Sequence, residues 1–312
     1  MESCCRYWKS RSTKRKYKLA LYLDEKNRRL IMKIYIIILI VFLSVNSFAQ
    51  TDSLAKSNWE ASALSGLNIS QIALSNWTQG GDNSLAWTFF GKLDVLYSSK
   101  PWAVKNNLKL AFGRTKLGSA DFRTNDNEIY LESVLTYDLG WTISPFFSNS
   151  VRTVIGNGFN YASIPAIQTS KFFDPGYVTQ SLGFTYSKDK VFTSRLGVAL
   201  QETFAKRFAA LYVDDPKTTD KVERIKVETG IESVTEGTYP FAENMIATSK
   251  LRLFSRFTHL DVWDVRWDNT ITAQINKYFN TNLNILVIYE KSQSYKTQVK
   301  EALQLGISYN LF

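Results

Sequence analysis

Apolar and polar residues alternate with a period of two along most of the chain from Trp59 to the end. In "DVWDVRWDNTITAQI" (261–275), large apolar residues alternate with Asp264, Arg266 and Asp268. A period of two places successive side chains on opposite faces of a β-strand. The pattern predicts about twelve strands. They lie near 60–76, 84–98, 104–116, 126–139, 141–156, 177–187, 190–205, 222–234, 245–258, 261–275, 279–291 and 299–312.

The lengths of these strands and of their links predict the architecture. Many strands run about 12 to 15 residues, whereas strands of soluble proteins usually run about 5–6 and membrane-crossing strands need about 9–11. Every second link is short, as in outer-membrane barrels, where short periplasmic turns alternate with longer external loops. Two links depart from this rule, Val234–Ala242 by its length and Thr258–Asp261 by its shortness. We therefore predict an all-β fold, an antiparallel up-and-down transmembrane β-barrel of about twelve strands.

The alternative is a soluble exported β-sandwich or small barrel with the apolar face inside. In that fold, the second face of nearly every strand would place mixed Lys, Arg and Asp side chains in bulk water. A barrel reverses the arrangement, because large apolar side chains meet lipid and the ions line a wet lumen. The concentration of large aromatic residues on the apolar face favours the membrane barrel.

An apolar stretch near the start predicts export. "MKIYIIILIVFLSVNSFAQ" (32–50) has a basic residue at Lys33, ten apolar residues from Ile34 to Leu43, and small residues at Ser47 and Ala49. Ten residues are too few for a membrane-spanning helix, which needs about 20. The stretch has the features of a cleaved signal peptide, and cleavage is predicted before Gln50.

Charge and cysteine content change once the leading segments are set aside. Of the formal net charge of +10, residues 1–31 contribute +7 and Lys33 contributes +1, which leaves +2 for residues 50–312. Nucleic acid is therefore not a predicted partner, although a basic binding arm is the alternative for residues 1–31. Cys4 and Cys5 also lie in that segment, so the exported chain has no disulfide. The predicted organisation is an upstream extension (1–31), a signal peptide (32–49), a short N-terminal segment (50–58) and the barrel (59–312).

Three segments resemble an uncharacterised family of outer-membrane β-barrels of Bacteroides-type bacteria, a domain of unknown function. They are "LNISQIALSNWTQGGDNSLAW" (67–87), "DNEIYLESVLTYDLGW" (126–141) and "SKFFDPGYVTQSLGFTY" (170–186). The residues that match its motifs are Asn76, Trp77, Gly80 and Gly81, and later Phe172, Asp174, Pro175 and Gly176. The resemblance covers 59–312 and implies a fold and an outer-membrane location rather than a chemistry.

The first motif has two interpretations. Gly80-Gly81-Asp82-Asn83 has the composition of a hairpin tip, because glycine adopts positive φ in tight turns without strain. Trp77 and Trp87 would then belong to an aromatic girdle at the membrane interface. The sharper alternative is a ligand-binding loop.

Charged residues on the polar face of two consecutive strands form a candidate lumen ladder. Its members are Lys250, Arg252, Arg256, Asp264, Arg266 and Asp268. A hairpin around Leu260 would place Arg256 opposite Asp264 and Arg252 opposite Asp268, and opposite charges across strands stabilise pairing. These ions either form a constriction that selects solutes or neutralise each other and fill the lumen.

Catalysis and metal binding have little support in the sequence. The chain has one histidine, His259, and Ser255 lies four residues before it, too far along one strand to contact it unless the chain folds back. No enzyme, cofactor or metal site is predicted. The leading function is passage or binding of a small solute. The alternatives are a non-conducting structural or docking barrel for another envelope protein and, with least support, a barrel-hosted hydrolase. Outer-membrane lipid and the barrel-assembly machinery are the other predicted partners.

Overall fold

The computed structural model describes residues 58–75, 81–188, 191–213, 222–291 and 295–311. These residues belong to one compact unit, Ser57–Phe312. The upstream extension (1–31) and the signal peptide (32–49) lie outside the described residues and stay predictions, as does nearly all of the short segment 50–58. No helix within the described ranges is long and apolar enough to cross a membrane.

The described residues form β-strands almost throughout. The strands are β1 (Trp59–Ile72), β2 (Ser84–Ser99), β3 (Trp102–Leu117), β4 (Arg123–Tyr137), β5 (Ser144–Thr153), β6 (Gly158–Asn160), β7 (Ile167–Ser170), β8 (Gly176–Lys188), β9 (Phe192–Phe204), β10 (Ile225–Ala242), β11 (Met245–Arg256), β12 (His259–Gln274), β13 (Phe279–Tyr289) and β14 (Gln298–Asn310). One helical turn, α1 (Ala209–Tyr212), follows β9.

Twelve of the strands in the described ranges close into a barrel in the order of the chain. Each is antiparallel to its neighbours, and β1 closes the ring by pairing with β14. The remaining two, β6 and β7, form a separate hairpin between β5 and β8. The predicted up-and-down barrel of about twelve strands is therefore confirmed. A closed ring has no free edge strand, because each barrel strand pairs on both sides, although β1 pairs with β14 only over Leu64–Ile69.

The distribution of side chains is the reverse of that in a soluble protein. Leu131 and Leu303 on the outer face are 40% and 65% exposed, whereas Glu132 and Arg195 in the interior are 6% and 5% exposed. Other exposed apolar residues on the barrel wall are Phe89, Phe147, Leu182, Leu196, Trp267, Leu305 and Tyr309. The expected orientation, apolar outside and ionic inside, is confirmed, and the soluble alternative is wrong.

The links differ between the two rims. On the rim that holds the start of β1 and the end of β14, they are short: 100–101, 138–143, 189–191, 243–244 and 275–278. We call this the terminal rim. On the opposite rim, 73–83, 154–175, 205–224 and 290–297 are longer, and 118–122 and 257–258 are short. The predicted alternation of link length is therefore present with two exceptions, the expected short turn 257–258 and the short link 118–122, which was not expected.

The predicted long link Val234–Ala242 is wrong, because β10 continues to Ala242 and turns at 243–244. Alternation persists there, with Tyr239 and Phe241 exposed on the outer face. Pro240 looks like a strand breaker in the sequence. It is accommodated because it lies where the register shifts near the strand end, a place that tolerates a missing N–H donor.

Candidate functional site in the barrel interior

In addition to the longer Lys105 (β3)–Glu236 (β10) pair at 3.4 Å, three ion pairs of the described residues cross the lumen between opposite walls. They are Lys109 (β3) with Asp268 (β12) at 2.7 Å, Glu128 (β4) with Arg266 (β12) at 2.6 Å, and Glu132 (β4) with Lys250 (β11) at 2.7 Å. We call these three pairs the salt-bridge partition. Since the paired strands are five or six places apart around the ring, the partition divides the interior into two halves.

On one side of the partition, which we call the ionic half, the interior side chains of β5 and β8–β11 pack around charges. The carboxylate of Glu132 also accepts a hydrogen bond from Arg195 at 2.6 Å. Lys250 contacts Glu236 at 2.7 Å, so one cation bridges two carboxylates. Charge-assisted hydrogen bonds are stronger than neutral ones, and each ion here has an opposite charge.

A second cluster lies nearer the rim opposite the termini. Glu232 accepts hydrogen bonds from Arg252 Nε and from the Ser181 hydroxyl, both at 2.7 Å. Arg256 contacts Glu228 and makes an ion pair with Asp264 at 2.8 Å. In both clusters, ion pairs join side chains of neighbouring strands. Each cation is therefore held at a fixed height along the barrel axis.

Two aromatic rings lie among these ions, a feature that the sequence pattern does not predict. Phe254 is fully buried and stands under the guanidinium groups of Arg252 and Arg256, at 5.6 and 5.8 Å from the ring centroid. Phe146 lies under Arg195 at 5.8 Å. A cation over an aromatic face is attracted by the ring quadrupole. The sequence did offer a sign of this placement for Phe254. A period of two puts Phe254 on the same strand face as Lys250 and Arg252, and hence in the interior.

The structure places all six ladder residues in the interior but changes one predicted pair. Arg256 does contact Asp264, whereas Arg252 lies opposite Arg266 and pairs with Glu232 instead of Asp268. The reason is the turn. The hairpin turns at 257–258, not around Leu260, and has a bulge between Ser255 and Arg256. Beyond the bulge, the observed register differs from the predicted one by two residues. Asp268 consequently lies opposite Lys250 and contacts Lys109.

The other side of the partition, the amide half, is lined by β1, β2, β13 and β14. Its polar side chains bond along the wall rather than across the lumen. Asn68 donates to Gln304 at 3.2 Å, Asn282 donates to Asn68 at 3.4 Å, and Gln304 donates to the Thr88 hydroxyl at 3.4 Å. The centre of this half therefore stays open.

A cavity of about 780 Å³ occupies the amide half. It reaches Asn276 and Lys277 in a link at the terminal rim, and Asp126 and Lys300 near the other rim. Asp126 and Lys300 form an ion pair at 2.9 Å between β4 and β14. The cavity therefore runs through the barrel from rim to rim along one wall, with this ion pair near one end.

Residues 154–175 and 205–213, the described parts of two long links, form a lid over the ionic half, and Asp174 joins them. Its carboxylate, 3% exposed, accepts the backbone N–H groups of Lys206 and Arg207 at 2.9 and 2.8 Å. The backbone N–H of Phe208 donates to the same carboxylate at 3.4 Å. A small cluster of Ala205, Ala209, Val213 and Tyr212 packs behind them. Burial, with the Asp174 charge adding to it, raises the pKa of the Tyr212 hydroxyl.

The turn before β8 explains the residues of the second motif. Phe173 has φ +55°, a conformation uncommon outside glycine, and its N–H donates to the Thr153 hydroxyl at 2.9 Å. A Cβ at Gly176 would approach the Phe173 ring within 2.8 Å. Asp174, Pro175 and Gly176 thus hold the lid rather than a ligand. Sequence reasoning did not assign Asp174 this role, although the motif contained it.

Only Gly81 of the first motif is among the described residues, while Asn76, Trp77 and Gly80 lie outside them. Gly81 has φ +110°, and the Leu74 N–H donates to Asn83 Oδ1 at 2.6 Å. These two features are those of a closed turn. The ligand-binding alternative stays a hypothesis.

The chain does fold back between Ser255 and His259. The Ser255 hydroxyl, however, donates to the backbone carbonyl of His259 at 3.4 Å and not to its imidazole. Within the described ranges, no group of three or more His, Cys, Asp or Glu side chains is arranged to hold a metal ion. The absence of catalysis stays a prediction.

These features define a closed antiparallel β-barrel whose lumen is half filled by ions and half open. Residues 69–159 match the model of a family described as a protein of unknown function (DUF3078). The match covers less than half of the chain and less than the predicted range 59–312. It overlaps the first two of the three resembling segments and not the third. The bacterial group stays a prediction. No match is found among the curated proteins.

Several solved structures are similar to the chain. The translocator domain of autotransporter NalP from Neisseria meningitidis is 11% identical, with 94% of this chain and 97% of that chain covered and a TM-score of 0.35. The COG4313 outer membrane channel from Pseudomonas putida F1 is 12% identical, with coverages of 84% and 99% and a TM-score of 0.38. The KdgM porin in complex with disordered oligogalacturonate is 8% identical, with coverages of 79% and 98% and a TM-score of 0.30. At these scores the similarities assign no function to this chain.

Proposed function

We propose that this protein is an outer-membrane barrel that passes small polar solutes through the amide half of its lumen. The observation that carries the proposal is the cavity of about 780 Å³ whose lining reaches both rims. Amide and hydroxyl groups on its wall can replace part of the hydration of a passing solute, as pore linings do. The lining also carries charged side chains of both signs, among them Lys92, Lys109 and Glu301, so the pathway suits polar solutes rather than apolar ones.

The outer face supports the membrane location. Large apolar residues cover it, including Trp263, Trp267 and Leu303 at 39%, 44% and 65% exposure. Such a belt would be unstable in water and is stabilised by lipid. Export through a cleaved signal peptide and insertion by the barrel-assembly machinery are the steps that this location requires.

Conductance in planar lipid bilayers tests the proposal. The folded protein should give discrete channels, and Gln304→Trp should reduce their conductance at least about threefold, because the ring would occupy the narrow open half. Leu305→Trp is the matched control. Residue 305 is adjacent on β14, faces outward and does not line the cavity, so the conductance of this variant should equal that of the wild type. A folded wild-type barrel that gives no channels, and whose folded Asp126→Asn variant gives none either, contradicts the proposal.

A second candidate, a non-conducting barrel that docks another envelope protein, is favoured by one observation. The Asp126–Lys300 ion pair lies near one end of the open cavity and could close it. Asp126→Asn separates the two functions. If the wild type gives no conductance and the variant does, conduction is supported. If the folded variant gives no conductance either, docking is supported.

A further inference from the structure

Arg152 on β5 differs from the other arginines of the ionic half, because no carboxylate of the described residues lies within ion-pair distance of it. Its guanidinium stacks on the Tyr177 ring, 4.9 Å from the centroid. The charges that act on it are chiefly those of Arg252 and Arg266, with Glu128 as the opposing charge. Glu128 is already bonded to Arg266 at 2.6 Å. An enclosed cation next to two further cations is unfavourable unless an anion offsets it.

Two cavities meet at this arginine. The inner cavity, of about 100 Å³, is lined by the partition residues and by Ser150 and Thr179. The outer cavity, of about 230 Å³, lies beneath the lid, and its lining includes Pro175 and Tyr212 as well as two carboxylates, Glu290 and the Asp264 that pairs with Arg256. Both are lined by Arg152, Arg252, Arg266 and Tyr177. The three guanidinium groups therefore line a space that is large enough for a small molecule, with hydroxyl groups at its inner end.

We propose that this space binds a small oxyanion, a carboxylate or a phosphate group, on Arg152, with Arg252 and Arg266 contributing charge. A guanidinium presents a planar set of N–H donors that matches two oxygens of either group at once. Since Arg252 and Arg266 each already have a carboxylate, Arg152 supplies the free donors. The lid places the site on the side of the rim opposite the termini. The inference deepens the proposed function by naming a class of solute, but the binding itself does not depend on conduction.

Isothermal titration calorimetry of the refolded barrel in detergent tests the site, with sodium succinate and sodium phosphate as probes at constant ionic strength in chloride. The wild type should bind at least one of the two, and the comparison separates a carboxylate from a phosphate site. Arg152→Gln should weaken binding at least about tenfold, the loss expected for a charge-assisted bidentate contact. Arg152→Lys keeps the charge without the planar donors and should give an intermediate affinity.

Lys100→Gln is the matched control. It removes one positive charge from the terminal rim, where the Lys100 side chain is 89% exposed, and should bind the probes as the wild type does. No binding by the wild type, or equal binding by Arg152→Gln, overturns the inference. If Lys100→Gln loses as much affinity for the probes as Arg152→Gln, the inference is also overturned, because that result would indicate general electrostatic attraction rather than binding at Arg152. Heat-modifiability on gels confirms that each variant is folded. Binding without conductance would contradict the proposed function alone, and conductance without binding would contradict the site alone.

Discussion

The two halves of the lumen use different polar side chains, and side-chain length separates them. In the ionic half and the partition, Lys, Arg and Glu are long enough to meet in the middle, as Lys250 and Glu132 do at 2.7 Å. In the amide half, Asn, Gln and Thr reach only strands one or two places away along the same wall, as with Thr272 and Asn282 at 2.8 Å. The same alternation of residues on the same barrel therefore fills one side and leaves the other open.

This contrast shows that a polar lumen face does not by itself mean a pore. Ions that pair across the interior behave as a core, because removing one leaves its partners enclosed without compensation. Amides that bond along a wall retain access to water and depend less on each other. Stability should therefore reside mainly in the ionic half, and permeability in the amide half.

The largest expected effect follows from removal of the central acceptor of the ionic half. Glu132→Ala leaves Arg195 and Lys250 without the carboxylate that both contact, so we expect a loss of roughly 3–5 kcal/mol in the free energy of unfolding. Urea unfolding in lipid vesicles, followed by tryptophan fluorescence, measures it. The matched change in the amide half, Asn282→Ala, should lose about 1 kcal/mol or less. Equal losses in the two variants would remove the distinction between the halves.

An intermediate effect is expected at the lid, which covers only the ionic half. Asp174→Asn replaces a charged acceptor of backbone N–H groups, so the segment 205–213 should be destabilised locally by about 1.5–3 kcal/mol. Faster hydrogen exchange in this segment would show it, while the unfolding of the barrel itself should change little. Asp121→Asn, in the exposed link 118–122, is the control. Unchanged exchange in Asp174→Asn would mean that the lid is held by its apolar cluster alone.

The smallest expected effect comes from weakening the partition at its edge. Lys109→Met removes the pair with Asp268, which is only partly enclosed, so the stability should change by about 1 kcal/mol or less. The open cavity, which Lys109 lines, should widen, and the channel conductance should rise by up to about twofold. Lys100→Met at the terminal rim should leave the conductance unchanged. A Lys109→Met channel identical to the wild type would mean that the partition does not bound the pathway.

Much of the fold was predictable, because it depends on local alternation and on the distance between turns. Strand number and the outward direction of residues such as Leu131 and Trp267 follow from period two alone. The extension of β10 through Pro240 was missed, because a proline predicts a break unless its register position is known. The lid role of Asp174 was missed for a related reason, since its N–H partners come from a different link 32 residues or more away.

Sequence alone determined that this chain forms a closed barrel of about twelve strands with ions inside and apolar residues outside. The reason is that every second side chain of a strand points to the same face. Only the tertiary structure decided which ions meet and which half of the lumen stays open. The partners in the partition are 118 to 159 residues apart, and closure of the ring alone brings them together. A turn and a bulge that together set the register two residues away from the predicted one were enough to exchange the partner of Arg252.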